Sequence, residues 1–289
     1  MNTENKNNVI FQDDMVQEFL NKWKDSEEIL IGIGHELELK EEEIWKGCRM
    51  YQKYQEALKS LSDETQMWVK NAILLHEIEN HNEKIEKQIG FYNLLHDKLK
   101  GRPYFVVSTC KDGLINYSDM DPSKIVTPCG DFMHGQCQDK CNPAIYDTRE
   151  ALKKIYQILE TMEDDKQGWK EIEETILVCP SCNKTITFNQ YKQKGYNENA
   201  YKRQWGEYLK WIQRTLNHKL LLVELGEGFE TPTVIRWPFE KVTFLNQKAF
   251  LYRINKRFYQ LTEDLAQRGK SIQCDSAVFL EQLKLQDNF

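Results

Sequence analysis

Eight cysteines carry the first chemical information in this 289-residue chain, at positions 48, 110, 129, 137, 141, 179, 182 and 274. Four of them are paired at close spacing. Cys137 and Cys141 form C-x3-C, and Cys179 and Cys182 form C-x2-C within VCPSCNKTITF. Two such turns brought together offer four thiolates to one tetrahedral Zn2+ and leave no position open for water. The expected site is therefore structural, clamping a lobe too small to fold by burial alone. His134 precedes Cys137 and could replace one ligand, although the quartet is complete without it.

A second kind of chemistry is suggested by two glycine turns. Gly32-Ile33-Gly34 ends the apolar run EEILIGIG, and Gly226 and Gly228 follow another in LVELGEGFETP. A strand ending in glycines lets backbone amides approach a phosphate, and a following helix start favours its charge. The first turn alone is a weak signal, because position 37 is Leu where a dinucleotide fingerprint has its third glycine. Thr231-Pro232 reads as a helix N-cap followed by a first helical position. Two such junctions in one parallel sheet both lie at its carboxyl edge, where open α/β sheets bind ligands.

The elements that must position these groups alternate. Val9 to Trp23 has helical spacing in Phe11, Met15, Phe19, Leu20 and Trp23. Short apolar runs at 29–33, 104–108, 125–126, 220–225, 242–245, 250–254 and 271–274 read as buried strands. Residues 36–100 are charged and helical in rhythm, with Glu36 to Glu43 as a solvated, acidic helix start. A helix with Leu152, Ile155, Tyr156, Leu159 and Met162 separates the cysteine pairs. Another, near 199–216, carries Tyr201, Trp205, Tyr208, Leu209, Ile212 and Leu216, a stripe suited to packing the small lobe on the large one. Helix 277–285 closes the chain. The expected fold is α/β: a Rossmann-like parallel sheet with helices on both faces and an inserted small zinc-ribbon and helical lobe. The expected division is a nucleotide lobe from 1–39, 90–134 and 218–289, a helical insertion at 40–89 and a zinc-binding lobe at 135–217.

Composition narrows the function. The net charge is −6, which argues against a nucleic-acid binder. Hydrophobic residues make up 40% of the chain, enough for a sizeable core. No apolar run reaches the roughly 18 residues of a membrane span. The polar start MNTENKNN lacks the apolar stretch of an export signal, so the expectation is a cytoplasmic protein with reduced thiols.

In this order the segments resemble a sirtuin, the NAD-dependent protein deacylases of the silent-information-regulator family. GIG at 32–34 resembles the family's first glycine motif, STCKD at 108–112 its TQNID-like catalytic segment, and PCGD at 128–131 its catalytic His-Gly. The quartet matches the zinc ribbon, and ELGEG at 224–228 takes the place of the GTS loop. RIN at 253–255 and QCDSAVFLEQL at 273–283 resemble the adenosine-side segments. The likeness is greatest to the macrodomain-linked branch, class M, through Gly130-Asp131, the quartet and the LG-x-G loop ahead of Thr231-Pro232.

The resemblance implies NAD or ADP-ribose held by Gly32, Gly34, Thr109, Asp112, Gly226, Gly228, Asn255 and Cys274. It puts Cys129, Cys110 and Asp112 at the catalytic positions. The family's catalytic residue lies eight positions before the first zinc cysteine, which selects Cys129 over His134. Class M carries Gln at that position, and members of the branch ADP-ribosylate proteins with a preference for lipoylated targets. The implied partner is thus an acylated or lipoylated protein. Cys129 replaces the base, Cys110 replaces an Asn, and His35-Glu36 stand where small residues are usual. The readings left open are NAD-dependent deacylation, ADP-ribosyl transfer, and nucleotide binding or a scaffold role without turnover. If the two thiols share the cleft, a thiolate there could accept ADP-ribose, or the pair could close as a disulfide.

Overall fold

The computed structural model describes residues 13–163, 166–193 and 195–286. Val9 and Phe11 of the first expected helix lie outside the described residues; the rest forms α1 (Asp13–Asp25). The large sheet comprises β1 (Glu28–Ile33), β2 (Tyr104–Ser108) and β3 (Ile125–Val126), then β7 (Leu220–Leu225), β8 (Phe250–Asn255) and β9 (Gly269–Gln273). A separate small sheet holds β4 (Gly130–Cys137), β5 (Ile145–Asp147) and β6 (Ile186–Gln190). The helices are α2 (Glu41–Trp45), α3 (Arg49–Leu58), α4 (Asp63–Glu79), α5 (Glu83–Leu99), α6 (Arg149–Thr161), α7 (Lys166–Thr175), α8 (Lys202–Arg214), α9 (Arg236–Leu245) and α10 (Ser276–Lys284).

The six-stranded sheet runs in the order β3-β2-β1-β7-β8-β9, and every pairing is parallel. Strand order therefore reverses between β1 and β7, and the two glycine turns leave the sheet side by side at that switch point. The period-two geometry of a strand sorts its residues between two cores. Ile29, Ile31, Ile33, Val106, Val223 and Ile254 face the core that contains Phe19, Leu95 and Phe279, from α1, α5 and α10. Leu30, Phe105, Val107, Leu222 and Leu251 face the other, under α8 and α9. Helices thus cover both faces, as strands with apolar residues on both sides require.

The small sheet is antiparallel, ordered β5-β4-β6. Its strands are not apparent in the sequence, because GDFMHGQC lacks clean alternation. Gly130 makes its bulged start possible: φ is +72°, and a Cβ there would collide with the Asn189 carbonyl.

Three expectations need correction. Residues 242–245 are not a strand but the end of α9. Ile235, Phe239 and Val242 recur at helical spacing toward the sheet, while Phe244 and Leu245 face outward. A four-residue apolar run cannot reveal that period by itself. Thr231 does not cap this helix; Ile235 is its N-cap, and 231–234 form a turn closed by Val234 N–H donating to Thr231 O. Leu209 on α8 and Leu216 just beyond its end face solvent, and Trp211 joins Tyr208 in the core. No helix among the described residues is long and apolar enough to cross a membrane.

Candidate functional site

The cysteine quartet assembles. Cys137 ends β4, Cys141 lies in the β4–β5 connection, and Cys179 and Cys182 flank the turn before β6. Cys137 Sγ is 3.4 Å from Cys141 Sγ and 3.5 Å from Cys182 Sγ, and Cys141 Sγ is 3.3 Å from Cys179 Sγ. All four ligand atoms lie within 4.8 Å of one another. A tetrahedral Zn–S shell has sulfur–sulfur edges of about 3.8 Å, so the donor set fits a zinc-sized divalent cation. Backbone N–H groups of Asp139 and Cys141 point at Cys137, those of Ser181 and Cys182 at Cys179, and that of Lys184 at Cys182. Asn142 Nδ2 adds a donor 3.1 Å from Cys179 Sγ. Lys140 and Asn183 sit at φ +51° and +58°, the left-handed turns that fold each pair back on itself. His134 is not among the cluster; its Nδ1 pairs with Asp131 Oδ1 at 2.8 Å.

At the switch point the predicted residues also come together. Gly34 N–H donates to Leu225 O, Glu36 N–H to Gly226 O, and Gly226 N–H to Ile254 O. Asn255 Nδ2 donates to Glu227 O at 3.0 Å, while its Oδ1 receives the Arg257 and Phe258 amides. A Cβ at Gly34 would overlap the Glu227 backbone, and one at Gly226 the Glu36 side chain. Gly32 makes room for Ile235 and Phe239, whereas Gly228 is open apart from the Phe258 ring. Three of the glycines are therefore explained by loop and helix packing before any ligand is considered.

Donors at this edge converge on carboxylates of the chain itself. Thr109 Oγ1, at the end of β2, donates to Glu227 Oε2 at 2.7 Å, and Thr231 Oγ1 donates to Oε1 at 3.3 Å. His35 Nε2 lies 3.5 Å from the same Thr231 hydroxyl, and its Nδ1 is 3.1 Å from Glu38 Oε2. Glu38 Oε1 receives the Lys111 amide at 2.8 Å. Glu36 reaches the start of α10, where Ser276 N–H and Oγ donate to Oε2 at 3.1 and 2.7 Å and Lys256 N–H to Oε1 at 3.0 Å. Asp112 receives the Leu39 and Leu114 amides at 2.7 and 3.0 Å. The expected solvated acidic stretch thus divides: Glu41, Glu42 and Glu43 are exposed at the start of α2, while Glu36 and Glu38 turn inward.

Burial dominates the titration of these groups. It pushes Glu227 up to about 7 against the Thr109 hydrogen bond, and Asp112 up to about 6 against its two amides. Burial alone would lower His35, but its hydrogen bond to Glu38 and the carboxylates of Glu38, Glu227 and Glu230 hold it above its ordinary value. Cys129 is buried and pushed up to about 12; burial also raises Cys110 well above an ordinary thiol. Cys110 Sγ faces Gly34 O at 3.4 Å, Cys129 neighbours Thr231, and both cysteines are free. Cys274 Sγ turns to its neighbouring Asp275 carbonyl.

Sequence reasoning did not single out Glu227, Thr231 as a hydroxyl donor, Glu230 or Lys192. Glu230 on the glycine loop pairs with Lys192 after β6 at 2.9 Å and with Lys111 at 3.5 Å. Beneath the loop, fully buried Arg253 grips Glu224 at 2.7 and 2.9 Å, and Arg236 Nη1 holds the Phe258 carbonyl at 2.8 Å. The only signal for these groups was the unusual density of Glu around two glycines.

No family profile matches the chain. A protein ADP-ribosyltransferase of Staphylococcus aureus (strain Mu50) is 24% identical over 179 residues, 61% of this chain and 55% of the relative. A probable bifunctional ADP-ribose hydrolase/ADP-ribosyltransferase of Fusarium oxysporum f. sp. cubense is 27% identical over 150 residues, 48% of this chain and 23% of that protein. The match thus spans about half of the first relative and about a quarter of the second. Among solved structures, a Sir2 variant with a deacetylated p53 peptide and 3′-O-acetyl ADP-ribose superposes with a TM-score of 0.50 at 15% identity, over 94% of this chain and 98% of that one. A second Sir2 variant, in complex with 2′-O-acetyl ADP-ribose, gives 0.50 at 12% identity, over 92% and 94%. The fold is that of the sirtuins, and the sequence is related to proteins described as ADP-ribosyltransferases.

Proposed function

We propose that this sirtuin-like chain binds a nucleotide of the NAD or ADP-ribose class at the carboxyl edge of its large sheet, and that its chemistry is of the ADP-ribosyl-transfer type and not deacylation. One observation carries the reading. The loops after β1, β2, β7, β8 and β9 meet along the carboxyl edge of the sheet and build two donor nests, each already holding a carboxyl group. Thr109 and Thr231 hydroxyls, with His35 alongside, surround one; Lys256 N–H and the Ser276 amide and hydroxyl surround the other. Two nests that receive two carboxylates have the donor chemistry to receive the two phosphates of a dinucleotide. The residues therefore fit the group.

In this reading Gly32, Gly34, Gly226 and Gly228 shape the loops, Thr109 and Asp112 face the ribose side, and Asn255 and Cys274 bound the adenosine side. Bound NAD would supply an ADP-ribosyl group on a nicotinamide leaving group. Cys129 stands where a deacylase has its base, and a buried thiol at about 12 does not accept protons near neutral pH. Asp112, at about 6, is the titratable group at the catalytic positions that changes charge nearest neutrality. The cysteine quartet would hold structural Zn2+ and fix the small lobe over the crevice. The acceptor would be an acylated or lipoylated protein. The nucleotide lobe would comprise 1–39, 90–134 and 218–289, with 40–89 as an insertion and 135–217 as the zinc lobe.

A second reading, a nucleotide-binding or scaffold protein without turnover, is favoured by the two carboxylates already in the nests. Nicotinamide release from NAD, measured with a lipoylated carrier protein, separates the two. Release dependent on the carrier supports transfer. Saturable binding without release supports the second reading, and no binding of NAD or ADP-ribose rejects both nucleotide readings.

A further inference from the structure

We infer that Glu227 is the specificity-determining residue of the crevice: its carboxylate holds the place of a ligand phosphate and must leave it before a diphosphate nucleotide can bind. The inference rests on the nucleotide reading above and concerns how that site selects its ligand.

Glu227 has no exposed surface, yet it lies in a loop at the mouth of a sheet edge. A carboxylate withdrawn from water there is compensated by the hydroxyls of Thr109 and Thr231. Those hydroxyls come from different loops, on either side of the switch point, and Thr109 Oγ1 also lies 3.3 Å from Ile33 O. The cations nearby are already engaged. Arg236 and Arg253 are held below by Glu224, Glu240 and backbone carbonyls. Lys111 and Lys192 are both paired with Glu230. The titratable and charged groups that face Glu227 are His35 after β1, Cys129 ahead of β4, Glu224 on β7 and Arg236 at the start of α9.

Where Glu227 is ionised, above pH about 7, an entering phosphate would share its donors with a like charge a few ångströms away, and the two repel. A ligand without phosphates would not meet this barrier. Glu36 repeats the arrangement at the second nest, where it takes the Ser276 and Lys256 amides.

Calorimetric titration at pH 8, where Glu227 is ionised, of the wild type, E227Q and E36Q with ADP-ribose, and with adenosine as the phosphate-free probe, tests the inference. Glutamine keeps an acceptor for one threonine hydroxyl, turns an NH2 donor to the other, and removes the charge. The expected result is that E227Q binds ADP-ribose at least roughly tenfold more tightly than wild type, with adenosine binding unchanged. Equal or weaker ADP-ribose binding by E227Q overturns the inference and leaves the nucleotide reading intact. An equal gain for both probes also overturns it, since the loop's shape and not its charge would then be at work. Failure of all three proteins to bind ADP-ribose rejects the nucleotide reading, and this inference with it. A thermal melt accompanies each titration. If E227Q does not fold, E36Q is expected to show the same selective gain for ADP-ribose, and the lack of that gain overturns the inference.

Discussion

The cysteine quartet and the glycine crevice are both anionic, yet they balance charge in opposite ways. At the quartet four sulfurs crowd within 4.8 Å, and the donors around them are backbone amides, Asn142 and the Tyr146 hydroxyl. Those donors cannot offset several thiolates at once, so the arrangement calls for a divalent cation from outside. At the crevice Glu36, Glu38, Asp112 and Glu227 each have two or more donors from the chain. One region has the donor set for a guest; the other has filled itself. A constellation's residue types therefore announce a ligand more reliably when the protein cannot satisfy them alone.

The largest test of this contrast is to strip the metal. The purified chain is expected to carry one zinc by elemental analysis, and a strong chelator should unfold the small lobe. Structural zinc contributes on the order of 10 kcal/mol of apparent folding energy, so the melting transition should fall steeply or be lost. Full retention of near-ultraviolet circular dichroism after metal removal would break the comparison from the quartet's side.

Next comes the floor beneath the crevice. R253M leaves the fully buried Glu224 without its bidentate partner and should cost about 3–5 kcal/mol in urea denaturation. A loss below about 1 kcal/mol would mean that Arg236 alone suffices for Glu224.

The crevice has its own pH signature. Burial raises the Glu227 carboxyl from 4.5 to about 7. Between those values the unfolded chain has released a proton that the native state keeps, so stability falls as pH rises through this window. The expected loss is on the order of 3 kcal/mol, and E227Q should abolish it. Asp112 adds a loss of the same sign between 3.8 and about 6, which should persist in E227Q. Urea midpoints at pH 5 and 7.5 for the two proteins check this; parallel curves would show that Glu227 is ionised without cost.

The smallest effect belongs to the bridge between the regions. Lys192 is largely exposed in its pair with Glu230, so K192A should cost less than about 1 kcal/mol and less still in high salt.

Much of this was legible in the chain. Runs such as YFVVS and LLLVEL match β2 and β7 residue for residue, because a strand buried on both faces is mostly apolar, with Glu224 the charged exception. The quartet was legible because thiolate spacing is local. The strands of the small sheet were not, since β4 carries Gly130, Asp131, His134 and Gln136 among its apolar residues. Nor was the turn at Thr231, whose hydroxyl found a partner in Glu227 and gave up the local cap.

The sequence by itself determined the sheet, its glycine turns and the four clustered sulfurs, because periodicity and short spacing are properties of neighbours along the chain. Only the tertiary structure decided that Glu227 and Glu36 occupy the donors at the switch point. Those donors belong to loops as much as 240 residues apart, as between Glu36 and Ser276. A hydrogen bond's value depends on where both partners are held, and no pattern local to either residue records it.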